Sequence, residues 1–110
     1  FLAHLNESLL ETYLRTVQLE KKTNNTITEK QPLLDELTLI RKQGYAIDNQ
    51  EYLIGLKGMA APIYDSSGTV VAALSVAGVE MRLDPEKTEA TINQLVNYAK
   101  KISYTLGWSD

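Results

Sequence analysis

Two polar residues set among apolar neighbours are the best candidates for chemistry in this chain. Asp48 ends the short run Tyr45-Ala46-Ile47, and Ser75 sits in the middle of Val70-Val71-Ala72-Ala73-Leu74-Ser75-Val76-Ala77. A hydroxyl inside an apolar strand must find a hydrogen-bond partner. That partner is either the local backbone or, where the strand walls a pocket, a small polar ligand. Asp48 has two corresponding roles: closing an Asx-turn, or serving as a pocket acid that accepts from a ligand hydroxyl and repels a wrong anion. Ala77 shares the strand face of Ser75, and small residues recur at 58, 60, 61, 72, 73 and 77. They leave room for a ligand, or equally for tight packing of a helix on a sheet.

No enzymatic constellation accompanies these residues. The single histidine, His4, is expected on the polar side of the first helix, with no serine or aspartate partner at a useful spacing. The carboxylate pairs Asp35-Glu36 and Glu86/Glu89 fall on helix faces expected to be solvated. Gly55, Gly58 and Gly68 do not form a phosphate loop, because no Gly-Lys-Ser/Thr follows them. Cysteine is absent, which removes thiolate zinc sites and cysteine nucleophiles. His, Asp and Glu do not cluster at metal-ligand spacing. The expectation is a protein that is not an enzyme, with no cofactor and no metal.

The elements that must position Asp48 and Ser75 follow from periodicity. Leu2, Leu5, Leu9, Tyr13 and Val17, with Leu10 and Leu14, predict an amphipathic helix over 7–19 with Asn6 as N-cap. Residues 20–25 are polar and read as a loop. Thr28-Glu29-Lys30-Gln31 fits a capping box ahead of Pro32, and Leu33, Leu34, Leu37 and Ile40 give the second helix its apolar face. Arg41 and Lys42 suit its last turn, and Gly44 its stop. A short strand at 45–47 then leads into a polar turn at 48–51. Leu56 to Tyr64 and Thr69 to Gly78 form a hairpin across Asp65-Ser66-Ser67-Gly68, with Pro62 facing away from its partner or at a bulge. The second hairpin strand is apolar on both faces, which predicts a central place in the sheet. Asp84-Pro85-Glu86 starts a long helix whose buried face is expected to run Thr88, Ile92, Leu95, Ala99, Ile102, Leu106, ending at Gly107. The fold class is α+β. Three strands under three helices leave the sheet short of neighbours, so it is expected to be completed by preceding sequence or by another chain.

Size and charge bound the rest. The 110 residues allow one domain, and a compact one would expose roughly 6,100 Å² of about 17,800 Å², burying roughly two-thirds of its surface. With 11 basic and 14 acidic side chains and a net charge of −3, the chain has no electrostatic footprint for duplex nucleic acid or an anionic membrane. No apolar run approaches the roughly 18 residues of a membrane span. The opening Phe1-Leu2-Ala3, with no basic segment before it, reads as part of something longer rather than as a signal peptide.

Gly44-Tyr45-Ala46-Ile47-Asp48, then Gly55, Ala60-Ala61-Pro62-Ile63-Tyr64-Asp65, Gly68, and Ala72-Ala73-Leu74-Ser75-Val76 closed by Gly78 resemble the effector-binding domain of IclR-type (isocitrate lyase regulator-like) bacterial transcription regulators. Thr26-Ile27-Thr28, Leu37 to Arg41, and Arg82 also fit, so the resemblance covers nearly the whole chain. It implies a GAF-like antiparallel sheet flanked by helices, with residues 1–110 the C-terminal part of that domain. It implies a winged helix-turn-helix that is absent from this chain, through which alone DNA would be bound. The ligand would be a small organic metabolite, often a carboxylate; glyoxylate and pyruvate are candidates. The protein would be a cytoplasmic homodimer or homotetramer with no membrane contact, acting as a repressor or activator. By the resemblance the pocket takes Asp48, Leu56, Gly58, Ser75 and Ala77. Gly58 stands where the family often has cysteine, Ala77 where it may have a second serine, and Val79 where it has proline. The wall is therefore roomier and less polar than in a typical member. The alternative expectation is a GAF-like oligomerisation module that binds no ligand.

Overall fold

The computed structural model describes residues 1–79 and 84–110; Arg82, part of the resemblance, lies outside them. A 3-10 turn (Leu2–His4) precedes helix α1 (Glu7–Thr16) and helix α2 (Lys30–Gln43). Strands β1 (Ala46–Asn49), β2 (Leu56–Tyr64) and β3 (Val70–Val79) follow, then helix α3 (Pro85–Thr105). The α+β class is as expected.

The local signals act where the sequence puts them. The Asn6 side chain accepts from the Leu9 N–H at 2.9 Å, although α1 ends at Thr16 rather than 19. Gly44 takes the left-handed conformation that ends α2. Asp84 caps α3 by accepting from the Lys87 N–H at 2.8 Å, with Pro85 in the first helical position. At the hairpin, Asp65 and Thr69 close a loop in which Gly68 has φ +81°. This is a type I turn completed by a left-handed glycine. Hydrogen bonds from the Ser67 hydroxyl and N–H to Asp65 Oδ1 hold the turn and keep that carboxyl below its usual range. The capping box does not form: Glu29, not Thr28, is the N-cap of α2, without a side-chain cap bond, and Gln31 instead donates to Asp35 Oδ1 at 2.9 Å.

The sheet is antiparallel in the order β1-β2-β3. Among the described strands β2 lies between β1 and β3, and β3 pairs on one side; the second neighbour expected for it is one assigned to preceding sequence or another chain. Pro62 is tolerated in the central strand because it lies beyond the last β1–β2 pair, Ala46 with Ala60, and next to the register shift at Ile63/Tyr64.

Two separate cores result. On one sheet face Met59, Ala61 and Ile63 pack against Ile92, Leu95 and Ala99 of α3, with Tyr45, Ile47, Ala72 and Leu74 beside them. The small Ala61 and Ala99 let the helix approach closely. The buried stripe of α3 runs on to Ser103 rather than to Ile102 and Leu106, which are exposed. A 3.6-residue period started at Thr88 drifts to that position. There the fully buried Ser103 hydroxyl donates to the Ala99 carbonyl at 2.8 Å and accepts the Tyr64 N–H at 2.9 Å. Past it the helix closes on Gly107 with paired bonds from the Gly107 and Trp108 N–H groups to Tyr104 and Ser103, a Schellman ending.

The second core joins Ala3, Leu10 and Leu37, and Arg41 clamps it by donating from Nη1 to the Ala3 carbonyl at 3.0 Å. His4 belongs to the 3-10 turn, not to the polar face of α1. Its ring meets Tyr64 edge-on, 5.9 Å between centroids, and its Nε2 is buried with no hydrogen-bond partner among the described residues. Burial foremost, with the Arg41 charge adding to it, depresses its pKa below the ordinary value. The unfolded chain thus binds the proton more readily than the folded one, and stability is expected to fall as pH drops below about 6.5. Denaturation midpoints followed from about pH 7.5 to about pH 5 should show that slope, and His4→Phe should flatten it.

The molecule is a plate, 40 × 38 × 17 Å, exposing 7564 Å². That is about a quarter more surface than the ~6,100 Å² of a compact chain of this mass. Burial is accordingly nearer three-fifths than two-thirds. The excess includes the apolar loop Tyr52-Leu53-Ile54 and Val71, Val76 and Val79 of β3, all exposed.

Candidate functional site

The sheet face opposite α3 carries the predicted site in rows across the strands. Asp48, Gly58 and Ala77 form one row, and Ala46, Ala60 and Ser75 the next. Side chains this small cannot reach α2, so the helix stands off and leaves a cavity of about 400 Å³. Its far wall is Ile27 with Leu33, Glu36, Leu37 and Ile40 of α2. Four of the five predicted residues, Asp48, Gly58, Ser75 and Ala77, line it. Leu56 is half-buried in the next row, opposite Val79, and is not part of the lining.

Asp48 does close a turn: its Oδ1 accepts the Glu51 N–H at 2.9 Å. That bond leaves the rest of its carboxylate unused among the described residues, so the turn role and a pocket role are compatible. Ser75 is not buried within this chain, contrary to expectation, and its hydroxyl makes no hydrogen bond among the described residues. Gly58 has no left-handed backbone to require glycine. A Cβ there would meet Asp48 Cβ at 3.6 Å and the Val76 carbonyl at 3.8 Å, ordinary contacts, so the notch beside Asp48 is open space.

Two further carboxylates reach the cavity that sequence reasoning missed. Glu36, expected to be solvated, is half-buried in the α2 wall, and Glu51 enters from the turn after β1. Glu51 Oε2 accepts the Asn49 N–H at 3.1 Å. Burial foremost, with Asp48 and Glu36 adding like charge, pushes the Glu51 carboxyl above its usual range against that bond. The turn is fastened from below. Thr23 Oγ1 donates to the Gln50 carbonyl at 2.6 Å, Thr26 Oγ1 to the Glu51 carbonyl, and Asn25 Nδ2 to the Asn49 carbonyl at 3.0 Å. Thr26 also accepts the Lys22 and Thr23 N–H groups, which organises the loop. The Thr26-Ile27-Thr28 segment was visible in sequence, but its partners lie some 25 residues away and leave no local mark.

A more polar hollow of about 450 Å³ lies by Lys57, Thr88 and Glu89, and holds none of the predicted residues. Among the described residues no three histidine or carboxylate side chains are placed to hold a metal ion, and His4 does not line the Asp48 cavity.

Residues 1–104 match the family model of the bacterial transcriptional regulator IclR C-terminal domain. The chain belongs to this family. Among IclR-type relatives it is 35% identical over 103 residues to the HTH-type transcriptional regulator BhcR of Paracoccus denitrificans, covering 94% of this chain and 37% of BhcR. It is 34% identical over 109 residues to KdgR of Escherichia coli, covering 99% of this chain and 41% of KdgR. The chain thus spans about two-fifths of the length of these relatives. Among solved structures, Thermotoga maritima IclR superposes with a TM-score of 0.90 at 43% identity, over 97% of this chain and 43% of that one. The C-terminal domain of E. coli KdgR gives 0.88 at 33%, over 96% of this chain and 65% of that one. The inducer-binding domain of Acinetobacter PobR, a double mutant in complex with 3-hydroxybenzoic acid, shares the fold at 23% identity and a TM-score of 0.84, over 93% of this chain and 59% of that one. The GAF-like architecture expected for an IclR-type domain is the one found, and its relatives are transcriptional regulators rather than enzymes. No helix among the described residues is long and apolar enough to cross a membrane.

Proposed function

We propose that residues 1–110 are the C-terminal part of an effector-binding domain, and that a small organic metabolite held in the Asp48 cavity controls DNA binding by a winged helix-turn-helix elsewhere on the parent chain. The observation that carries this reading is the convergence of Asp48, Gly58, Ser75 and Ala77 on one cavity walled by α2. Ser75 offers a hydroxyl with no partner among the described residues, Asp48 an acceptor already oriented by its turn, and Gly58 the space between them and α2. A ligand seated there bridges the sheet and a helix that otherwise stands off from it. Occupancy favours one placement of α2 over another, and with it one arrangement of a homodimer or homotetramer. The PobR domain of the same fold, a double mutant, was solved in complex with 3-hydroxybenzoic acid, which supports a small organic ligand. The acidity of the present chain suits a cytoplasmic sensor that leaves phosphate contacts to its partner module.

A thermal-shift panel of small organic metabolites on the full-length protein tests the reading. A ligand at about 100 times its Kd stabilises the folded state by about 2.7 kcal/mol, and the midpoint rises accordingly. Ser75→Val replaces the hydroxyl with two methyl groups. It is expected to weaken the effector response about tenfold while operator affinity without effector stays unchanged. A normal response in that variant removes Ser75 from the ligand contacts.

A further inference from the structure

Resting on that reading of the cavity, we infer that Arg41 and His4, which do not line it, are positioning residues that carry a change in the placement of α2 to the aromatic corner of Tyr64, Trp108 and Tyr104 at the hairpin end of the sheet. Helix α2 forms the cavity wall opposite the sheet through Leu33, Glu36, Leu37 and Ile40. Of the described elements, the one it packs against most is the 3-10 turn. Leu37 shares a core with Ala3 and Leu10, and Leu2 and Ile40 pack at its margin. Arg41 follows Ile40 and fastens the same two elements. Its Nη1 donates to the Ala3 carbonyl at 3.0 Å, and its Nη2 to Thr38 Oγ1 of its own helix at 3.3 Å. A hydrogen bond from an ionised donor is among the stronger ones, so α2 and the 3-10 turn are held together as a unit. The residue after Ala3 is His4, whose ring meets the Tyr64 ring edge-on. A shift of α2 therefore arrives at Tyr64.

Tyr64 is built into the end of α3. Its N–H is accepted by the buried Ser103 hydroxyl, and its ring stacks on Trp108, which stacks in turn on Tyr104, both pairs 17° from parallel. The Trp108 N–H donates to the Ser103 carbonyl, and the Tyr104 hydroxyl to Asp110 at 3.2 Å. Gly107 approaches the hairpin turn so closely that a Cβ there would lie 3.1 Å from Ser66 Cβ. The hairpin turn, Tyr64 and the end of α3 thus form one corner. Beside it is a hollow of about 200 Å³, bordered by Tyr64, Trp108 and Lys100 and by Gln43 and Gly44 at the end of α2. The hollow gives the rings room, and stacked rings stay attractive over centroid separations of about 4.5–7 Å. The stack can slide without coming apart, as a link between two placements requires.

The test follows Trp108 in the full-length protein labelled with fluorotryptophan, its fluorine resonance assigned by its loss in Trp108→Phe. Gly58→Phe supplies a tethered occupant, whose ring enters the cavity from β2 toward Leu37 and Ile40. It is expected to displace the Trp108 resonance. Arg41→Met keeps the apolar stem and loses the donors, and His4→Leu loses the aromatic edge. Each is expected to cut that displacement to less than about half, as coupled sites require. Arg41→Lys keeps a donor for the Ala3 carbonyl and is expected to restore part of it. Either link variant decides alone if the other fails to fold. A resonance that stays still in Gly58→Phe overturns the inference. So does one that moves as far without the Arg41 and His4 side chains as with them, which assigns the route to Gly44 and β1 instead. The metabolite panel judges the effector reading separately. A panel member that raises the midpoint while Trp108 stays unmoved keeps the effector site and removes the link. A flat panel removes the effector reading, and with it the signal the link would carry.

Discussion

Leu95→Ala is expected to lower the unfolding free energy by about 2–5 kcal/mol, whereas Leu106→Ala should stay within about 0.5 kcal/mol. The two leucines lie on the same long helix, and the periodicity of the sequence assigns both to one apolar face. The structure separates them: Leu95 is 7% exposed and packed into the sheet core with Met59, Ile92 and Ala99, while Leu106 is 47% exposed beyond the last core turn. Truncating Leu95 removes apolar contacts and leaves a space that the closely fitted Ala61 and Ala99 are too short to fill, so the transfer and cavity losses add. Truncating Leu106 removes a side chain already half in water. Trp108 is a built-in reporter, because its ring stacks between Tyr64 and Tyr104 at 4.9 and 5.4 Å between centroids. Denaturation followed by its fluorescence should show a large fall in midpoint for the first variant and almost none for the second. Equal effects would mean that α3 sits on the sheet in the register first read from the sequence.

That comparison shows which parts of the fold were legible in the sequence. Most signals that act within a few residues were read correctly, the capping box at Thr28 being the exception. Gly44 ends α2, Asp84-Pro85 starts α3, and Asp65 to Gly68 turns the hairpin, because each satisfies backbone groups in its own vicinity. Strand order was not legible, because it depends on which distant segments pair. β1 pairs with β2, which local pattern does not reveal, and β3 has its one described neighbour in β2. Its two apolar faces have separate causes: Ala72 and Leu74 meet the α3 core, and Ser75 and Ala77 open onto the cavity. Ser103 was passed over for the neighbouring Ile102 because hydrophobicity ranks isoleucine first. The position is filled by the residue able to satisfy the Tyr64 N–H beside the irregular end of the hairpin. For the candidate site, the resemblance proposed five residues, and four of them line one cavity. The acids Glu36 and Glu51 were missed because a carboxylate on a helix or in a turn looks solvated until the facing element is known.

Gly58→Leu is expected to move stability and ligand response in opposite directions. Glycine inside a strand is destabilising by roughly 0.5–1 kcal/mol relative to alanine, and nothing in the backbone at position 58 demands it. A Cβ fits at ordinary contact distance, and a leucine side chain continues into the cavity toward Leu37 and Ile40. The unliganded protein should therefore gain about 1 kcal/mol, read as a higher melting midpoint. The same side chain occupies the notch beside Asp48 through which, on the proposed function, a ligand would reach the wall, so the thermal shift produced by an effector should disappear, and operator binding should become indifferent to it. Gly58→Ala, which fills only the mouth of the notch, should give a smaller gain and a partial loss. A glycine kept for packing or turning would show the opposite pattern, with stability falling as volume is added. A protein whose domain serves only to hold subunits together would gain stability from leucine and show no metabolite response in either form. The opposed signs distinguish a space kept open for a ligand from a gap left between helix and sheet, because only the former makes filling it costly to function while beneficial to the fold.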